Sequence, residues 1–283
     1  MGVTPLKASI RPPIVDGLFY PARRETLAAL IDDLLSRSPT PEGSSMAVIA
    51  PHAGYEYAGE VMAAAFRAIA RRRVRTAVLI GPVHRDPEEG FFLPESDRFS
   101  TPLGDVGVDE AAVEALIAGN PLFRRHDIPH LEEHCLEVHL PFLARMFPGI
   151  VIVPLLMGST GMAAVAALAR SLQSTFAARA DSTVFIVSAN MASYMTGRDV
   201  EAENTVLEEL LSRSDWKGVM GASEKRRIST CGASGIAALI SLAGDGCQAR
   251  VLARASSRGR DDDALRVVHY AAVSLDAGAP SHG

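Results

Sequence analysis

The chain has 283 residues, of which 48% are hydrophobic and 22% charged, and its formal net charge is −5. This composition is typical of a folded globular protein, and the negative charge excludes a basic nucleic-acid-binding surface as the first interpretation. The chain holds only three cysteines, which favours a reducing compartment, and no apolar run reaches the roughly 20 residues that cross a bilayer. We expect a cytoplasmic protein that binds neither nucleic acid nor a membrane.

Apolar runs bounded by turn residues alternate with stretches of helical spacing. Helices are predicted at 24–35, 60–70, 109–118, 134–147, 162–178, 198–212 and 235–243, and strands at 46–50, 76–81, 150–156, 183–188, 249–255 and 266–275. Residues 99–108 are predicted to form a turn followed by a short strand. This alternation is typical of an α/β fold, in which helices flank a central mixed or largely parallel sheet. We therefore predict one layered α/β domain over residues 11–275, between loose termini at 1–10 and 276–283.

Two histidines follow predicted strands. His52 comes shortly after the strand that ends at Ala50, and His84 after the strand that ends at Gly81. Ligand sites in open α/β sheets form beyond the carboxyl ends of strands, and two imidazoles there could converge on one metal ion. The alternative is that both are polar turn residues with no ligand.

A third group of polar residues comprises Glu132, Glu133, His134, Glu137 and His139. Its two histidines are five positions apart, so they cannot share a helical face in the manner of the HExxH zinc motif. With helical spacing, Glu133 and Glu137 would be neighbours one turn apart. The group is therefore either a solvated helix face or a source of side chains that orient metal ligands.

Cys231 immediately precedes an apolar stretch with helical spacing. A thiol at a helix N-terminus has a lowered pKa and favours the thiolate, which is the form that binds metals. A buried structural cysteine is the alternative. The chain contains no glycine-rich phosphate-binding motif, no GxSxG nucleophile motif and no CxxC pair, so nucleotide, serine-hydrolase and zinc-ribbon functions are not indicated.

Several motifs occur together and in a fixed order. They are RPPIVDGLFYP at 11–21, PHAGY at 51–55, GPVH at 81–84, TPLG at 101–104, EHCLEVHLPFL at 133–143, CG at 231–232 and VHYAA at 268–272. In this combination the chain resembles the MEMO family, whose bacterial members are called AmmeMemoRadiSam system protein B. The resemblance extends over roughly residues 11–273.

The resemblance implies a fold similar to that of the class III extradiol dioxygenases, which use non-haem Fe(II). It also implies that His52, His84 and Cys231 are metal ligands, with Fe(II) the favoured metal and copper or zinc as alternatives. A small molecule would be the substrate or ligand. The sequence supports the two histidines independently through their positions after strands, whereas Cys231 gains its weight from the resemblance.

One segment departs from the family pattern. Where the family usually has Ser-Ser-Asp-x-Ser-His-Tyr, this chain has SANMASY at 188–194, so Asn190 replaces the acidic residue and Ser193 replaces the histidine. That histidine acts as acid and base in the ring-opening relatives, and serine cannot titrate near pH 7. Ser193, Asn190, His134 and His139 are thus the candidate catalytic residues. Either the chemistry has changed, or His134 or His139 substitutes, or the protein binds a metal or ligand without turnover.

Overall fold

The computed structural model describes residues 9–85, 88–158, 160–195, 197–257 and 267–278, apart from the side chains of 193–195 and 197–201. Its helices are α1 (Arg24–Arg37), α2 (Tyr55–Arg67), α3 (Glu110–Gly119), α4 (Asp127–Glu132), α5 (Leu140–Met146), α6 (Met162–Phe176), α7 (Gly197–Ser212), α8 (Trp216–Glu224) and α9 (Ala233–Ala243). Its strands are β1 (Ile10–Arg11), β2 (Ala47–Ala50), β3 (Thr76–Pro82), β4 (Phe91–Leu93), β5 (Arg98–Phe99), β6 (Val106–Val108), β7 (Phe123–Arg125), β8 (Val151–Met157), β9 (Thr183–Ser188), β10 (Ala192–Met195), β11 (Gln248–Ser256) and β12 (Val267–Asp276).

The strands of the described residues form one mixed sheet whose main path runs β1-β5-β6-β8-β3-β9-β2-β12-β10. Its centre, β8-β3-β9-β2, is parallel throughout. Antiparallel pairs lie outside that centre, as between β2 and β12 and between β11 and β12. The predicted α/β fold with a central mixed or largely parallel sheet is confirmed.

The central strands are mostly apolar and do not alternate with polar residues; the polar residues of β9, Thr183 and Ser188, lie at its two ends. Every residue of β2 and of β9 is buried, as expected for parallel strands that helices cover on both faces. Helix α2 packs against β2, β11 and β12, and it buries a run of small side chains, Ala63 to Ala65, which allows close approach to its neighbours. Within the described residues, no helix is both long and apolar enough to cross a bilayer.

The predicted helix over 134–147 was wrong in its first half. The backbone at Glu133 is extended, a short 3-10 turn covers Glu137–His139, and α5 begins only at Leu140. Pro141 lies in the first turn of α5, where its missing N–H has no helical partner to lose. Glu133 and Glu137 therefore do not share a helical face.

Three parallel strands bring their carboxyl ends to one edge of the sheet. Strand β9 lies between β2 and β3, with Ala50 of β2 opposite Ser188. His52 follows β2, His84 follows β3 and Asn190 follows β9, each within two residues of its strand's last residue. The register of the sheet thus places these three residues beside one another.

Candidate metal centre

His52, His84 and Cys231 meet at this edge of the sheet. Each residue offers one ligand atom, and the three atoms lie within 4.8 Å of one another. Nε2 of His52 is 3.4 Å from Sγ of Cys231, and the two imidazole rings are T-shaped with centroids 5.2 Å apart. His52 is buried and His84 is exposed, so the group lies where the protein interior meets solvent.

The Nδ1 atom of each histidine is hydrogen-bonded to a residue outside this group of three. Nδ1 of His52 lies 2.8 Å from Oγ of Ser188, and Nδ1 of His84 lies 2.9 Å from Oε2 of Glu133. Each ring therefore has Nε2 left for a metal. Histidine ligands in proteins commonly bind a metal with one nitrogen while the other is held by such a partner.

Glu133 is a buried acceptor for four N–H groups. Its Oε2 accepts both from the ring and from the backbone N–H of His84, and its Oε1 accepts from the backbone N–H groups of His134 and Cys135 at 2.9 and 3.1 Å. Burial opposes ionisation of Glu133, yet the hydrogen bond and charge of His84 lower its pKa to about 2. Hydrogen bonds with Cys231 and Glu133 in turn raise the pKa of His84 to about 10.

These contacts decide between the two interpretations of the acidic and histidine-rich segment. Glu133 and Glu137 are 6% and 1% exposed, so the interpretation as a solvated helix face was wrong for both. Glu133 is hydrogen-bonded to His84 instead, so the role of orienting a metal ligand stays a prediction for it.

Cys231 lies just before α9, whose N-cap residue is Gly232. Burial raises the pKa of its thiol, but the charge of His52 and hydrogen bonds from His52 and His84 outweigh burial and lower the pKa to about 5. The thiolate, which binds metals, is therefore the stable form at neutral pH. The sequence argument for a helix N-terminal thiol agrees with this position.

Asn190 connects the loops that carry His52 and Cys231. Its Oδ1 accepts from the backbone N–H of His52 at 3.1 Å, and its own backbone N–H donates to Sγ of Cys231 at 3.3 Å. Its carbonyl accepts from Oγ1 of Thr230 at 2.7 Å. Asn190 therefore belongs to the site, where its side chain acts as a hydrogen-bond acceptor toward the backbone.

The other candidate catalytic residues are placed differently. The ring of His134 stacks on that of His84, with centroids 5.8 Å apart and an interplanar angle of 13°, and burial lowers its pKa to about 4, so it is neutral at pH 7. His139 has no exposed surface and contacts Ser188 behind the centre. Ser193 lies in β10, and its side chain is outside the described residues.

Two cavities adjoin the centre. A cleft of about 740 Å³ is lined by His52, His84, Cys231, His134 and Asn190, and by the aromatic rings of Phe19, Tyr57 and Tyr270. A second cavity of about 520 Å³ shares only His84, Arg85 and Cys231 with the first and extends over the start of α9. Both volumes are in the range of small-molecule sites. His134 reaches the cleft, whereas His139 does not.

An N-terminal clamp, formed by residues 11–20, holds the segment that carries Glu133. Arg11 forms a buried ion pair with Glu137, and its Nε and Nη2 donate to the carbonyls of His130 and Glu133, both at 2.8 Å. Glu137 also accepts from the hydroxyl of Tyr20 at 2.6 Å. The sequence analysis quoted this stretch as a motif but assigned it no role. The pairing could have been suspected because Arg11 and Glu137 lie in two separate motifs of the same family and carry opposite charges.

Comparison with known proteins identifies the family to which the chain is similar. A family model described as "Memo-like protein" matches residues 11–274. A MEMO1 family protein of Thermotoga neapolitana is 31% identical over 281 residues, which cover 94% of this chain and 99% of the relative. MEMO1 family proteins of Aeropyrum pernix and Thermoplasma acidophilum are also 31% identical, covering 94% and 81% of this chain and 99% and 85% of their own. The crystal structure of an uncharacterized Escherichia coli K12 protein aligns at 11% identity with a TM-score of 0.49, over 80% of this chain and 98% of that one.

Proposed function

Because the chain belongs to the Memo-like protein family, we propose that it binds a transition metal and acts as an oxidoreductase on a small molecule. The proposed ligands are His52, His84 and Cys231, and the proposed metal is Fe(II), with copper and zinc as alternatives. The observation that carries the proposal is the approach of three ligand atoms to within 4.8 Å of one another.

The residues present fit such an ion. Two imidazoles and a thiolate form a donor set that suits iron, copper and zinc, and binding such an ion would displace the proton that His84 carries at pH 7 in the metal-free protein. Both rings have their second nitrogen held by a polar side chain, as metal-binding histidines usually do. Bound Fe(II) would supply redox chemistry and open coordination positions for a substrate and oxygen.

The residues around the cleft would bind the substrate and move its protons. Phe19, Tyr57 and Tyr270 present aromatic rings to the cleft, which favours a substrate with an apolar portion. Among the described residues that line the cleft, His134 is the histidine that is not a proposed ligand. It is neutral at pH 7 and has a lone pair to offer, but its pKa of about 4 limits it to accepting a proton from an acidic group of the substrate. In the ring-opening relatives of the family, a histidine at the position of Ser193 has this role.

Metal content tests the proposed ligands directly. The wild-type protein, His52→Ala and the control His126→Ala are reconstituted anaerobically with Fe(II), desalted and analysed for iron. His126 is a suitable control because it lies before α4 and lines neither cavity. We expect about one equivalent of iron in the wild type and the control and little in His52→Ala. Equal iron in all three proteins would refute the proposed centre.

A second candidate function is metal or ligand binding without turnover. It is favoured by the replacement of the family's acidic residue and histidine by Asn190 and Ser193. Oxygen uptake by the iron-loaded protein with catechols and other small oxidisable compounds separates the two candidates. Uptake above the His52→Ala background supports the oxidoreductase, whereas uptake that begins only in Ser193→His supports the binding protein.

A further inference from the structure

We propose that Ser188 is a positioning residue for the metal centre: its hydroxyl fixes His52 with the proton on Nδ1 and the lone pair on Nε2. We further propose that His139 acts only through Ser188, as a second N–H donor that holds the hydroxyl in place. This inference rests on the proposed function, since it concerns one of the proposed ligands.

Three polar atoms surround the buried hydroxyl of Ser188. Nδ1 of His52 lies 2.8 Å from its Oγ, Nε2 of His139 lies 3.0 Å away, and the carbonyl oxygen of Cys135 lies 2.7 Å away. Ser188 and His139 have no exposed surface and His52 is 3% exposed, so these groups satisfy one another without bulk water.

Counting protons leaves one arrangement. A hydroxyl has one proton to donate and two lone pairs that accept. The carbonyl of Cys135 cannot donate, so the short contact with it must contain the proton of Ser188. Both lone pairs of Oγ then accept, and the facing nitrogens of His52 and His139 must each carry a proton.

The consequence for His52 is a defined tautomer. In the metal-free protein Nε2 faces the thiolate of Cys231 at 3.4 Å and donates to it. Because Nδ1 keeps its proton, a metal ion that displaced the proton on Nε2 would find a neutral imidazole with its lone pair on Nε2. If Ser188 instead donated to His52, the proton would move to Nε2 and the ring could not act as a ligand through that atom. Ser188 therefore selects the ligand-competent form.

The consequence for His139 is the opposite tautomer, with the proton on Nε2. Its Nδ1 would then be a bare acceptor, and that atom is buried with no hydrogen-bond partner. A bare acceptor without a partner costs less free energy than a buried positive charge, which agrees with a fully buried, neutral ring. His139 was a candidate base in the sequence analysis; its burial behind Ser188 gives it a supporting position instead.

The two histidine ligands are thus held by different chemistry. His84 is held by a carboxylate and His52 by a neutral hydroxyl. A neutral acceptor fixes the ring without adding negative charge to a centre that already contains a thiolate.

Two readouts test the proposal with Zn(II) as a diamagnetic probe. The first is the tautomer of each histidine, from long-range ¹H–¹⁵N correlations of the zinc-loaded and zinc-free protein. The second is the Zn(II) dissociation constant, from competition with a chromophoric chelator, for the wild type, Ser188→Ala and Ser188→Thr. In the first readout we expect a protonated Nε2 on His139 and a protonated Nδ1 on zinc-bound His52. In the second we expect zinc binding that is 10- to 100-fold weaker in Ser188→Ala, with most of the affinity recovered in Ser188→Thr.

A protonated Nδ1 on His139 would overturn the proposal, as would wild-type zinc affinity in Ser188→Ala. The tautomer of His139 is read in the wild-type protein, so the test does not depend on the folding of a variant. Zinc binding by His52→Ala distinguishes a failure of the proposal for Ser188 from a failure of the proposed metal centre. If His52→Ala retains zinc, the centre is refuted while the tautomer of His139 still tests Ser188.

Discussion

Nδ1 of His84 lies 2.9 Å from Oε2 of Glu133, and the backbone N–H of the same histidine donates to the same oxygen at 3.0 Å. One carboxylate oxygen therefore fixes both the ring and the backbone of a proposed ligand. Because the other oxygen accepts from two more backbone N–H groups, the carboxylate itself has little freedom to turn.

Replacing Glu133 by glutamine is expected to weaken Zn(II) binding 10- to 100-fold, the usual effect of losing a partner of a histidine ligand. Either orientation of the amide would aim its NH₂ group at two N–H donors. The matched control is Glu132→Gln, since Glu132 is exposed and lines the same cleft. Chelator competition measures both variants, and equal affinities would contradict the role given to Glu133.

The parts of the site that the sequence predicted depend on local signals. Strands β2 and β3 are apolar runs that end at proline or glycine, so the positions of His52 and His84 after them could be predicted from the chain alone. Cys231 could be placed at the start of a helix in the same way. The convergence of the two histidines then followed from the general geometry of parallel sheets.

The supporting contacts join residues far apart in the chain, and no local pattern encodes them. Ser188 lies 136 positions from His52, and Glu137 lies 126 positions from Arg11. For the segment from Glu133, helical spacing left a solvated helix face as one of two alternatives, and that alternative was wrong for Glu133 and Glu137. In the structure its carboxylates bind backbone N–H groups and the guanidinium of Arg11, and these long-range hydrogen bonds replace those of a helix.

Removing the cation of the buried Arg11–Glu137 pair is expected to cost about 3–5 kcal/mol of unfolding free energy. Arg11→Met leaves a buried carboxylate without its cation and leaves the carbonyls of His130 and Glu133 without their donor. Arg145→Met is the control, because its ion pair with Asp32 is about half exposed and such pairs contribute about 0–1 kcal/mol. Urea unfolding at pH 7 compares the two, and equal losses would show that the N-terminal clamp is energetically unimportant.

His130 is expected to make the protein less stable in acid. Burial lowers its pKa to about 4 from an ordinary value of 6.5, so the unfolded chain takes up the proton first as pH falls. Its stabilising contribution is complete above pH 6.5 and declines as the pH falls toward 4, by up to about 3 kcal/mol. His130→Gln, whose amide can donate to the carbonyl of Phe92 as Nε2 does, removes this titration.

The measurement for His130 is the free energy of unfolding of wild type and His130→Gln at several pH values between 7 and 4.5. The difference between the two proteins should shrink as the pH falls, because only the wild type loses this contribution. His134 and His139, whose pKa values are also lowered by burial, are present in both proteins and cancel in the comparison. A difference that stays constant with pH would contradict the assignment to His130.

Gly232 is expected to be required for the position of Cys231. A Cβ atom there would collide with the side chain of buried Ala189 and lie 3.1 Å from the carbonyl oxygen of Ser188, so Gly232→Ala must displace the loop that carries the thiol. We expect a loss of about 1–3 kcal/mol in unfolding free energy, as for other overpacked sites, together with weaker Zn(II) binding.

Gly221→Ala in α8 is the matched control, because its Cβ would meet open space, and alanine there should stabilise the helix by about 0.4–1 kcal/mol. Urea unfolding measures both variants, and a lower unfolding free energy in Gly232→Ala with a higher one in Gly221→Ala would support the close approach of Gly232 to β9. A higher unfolding free energy in Gly232→Ala with unchanged zinc affinity would refute it.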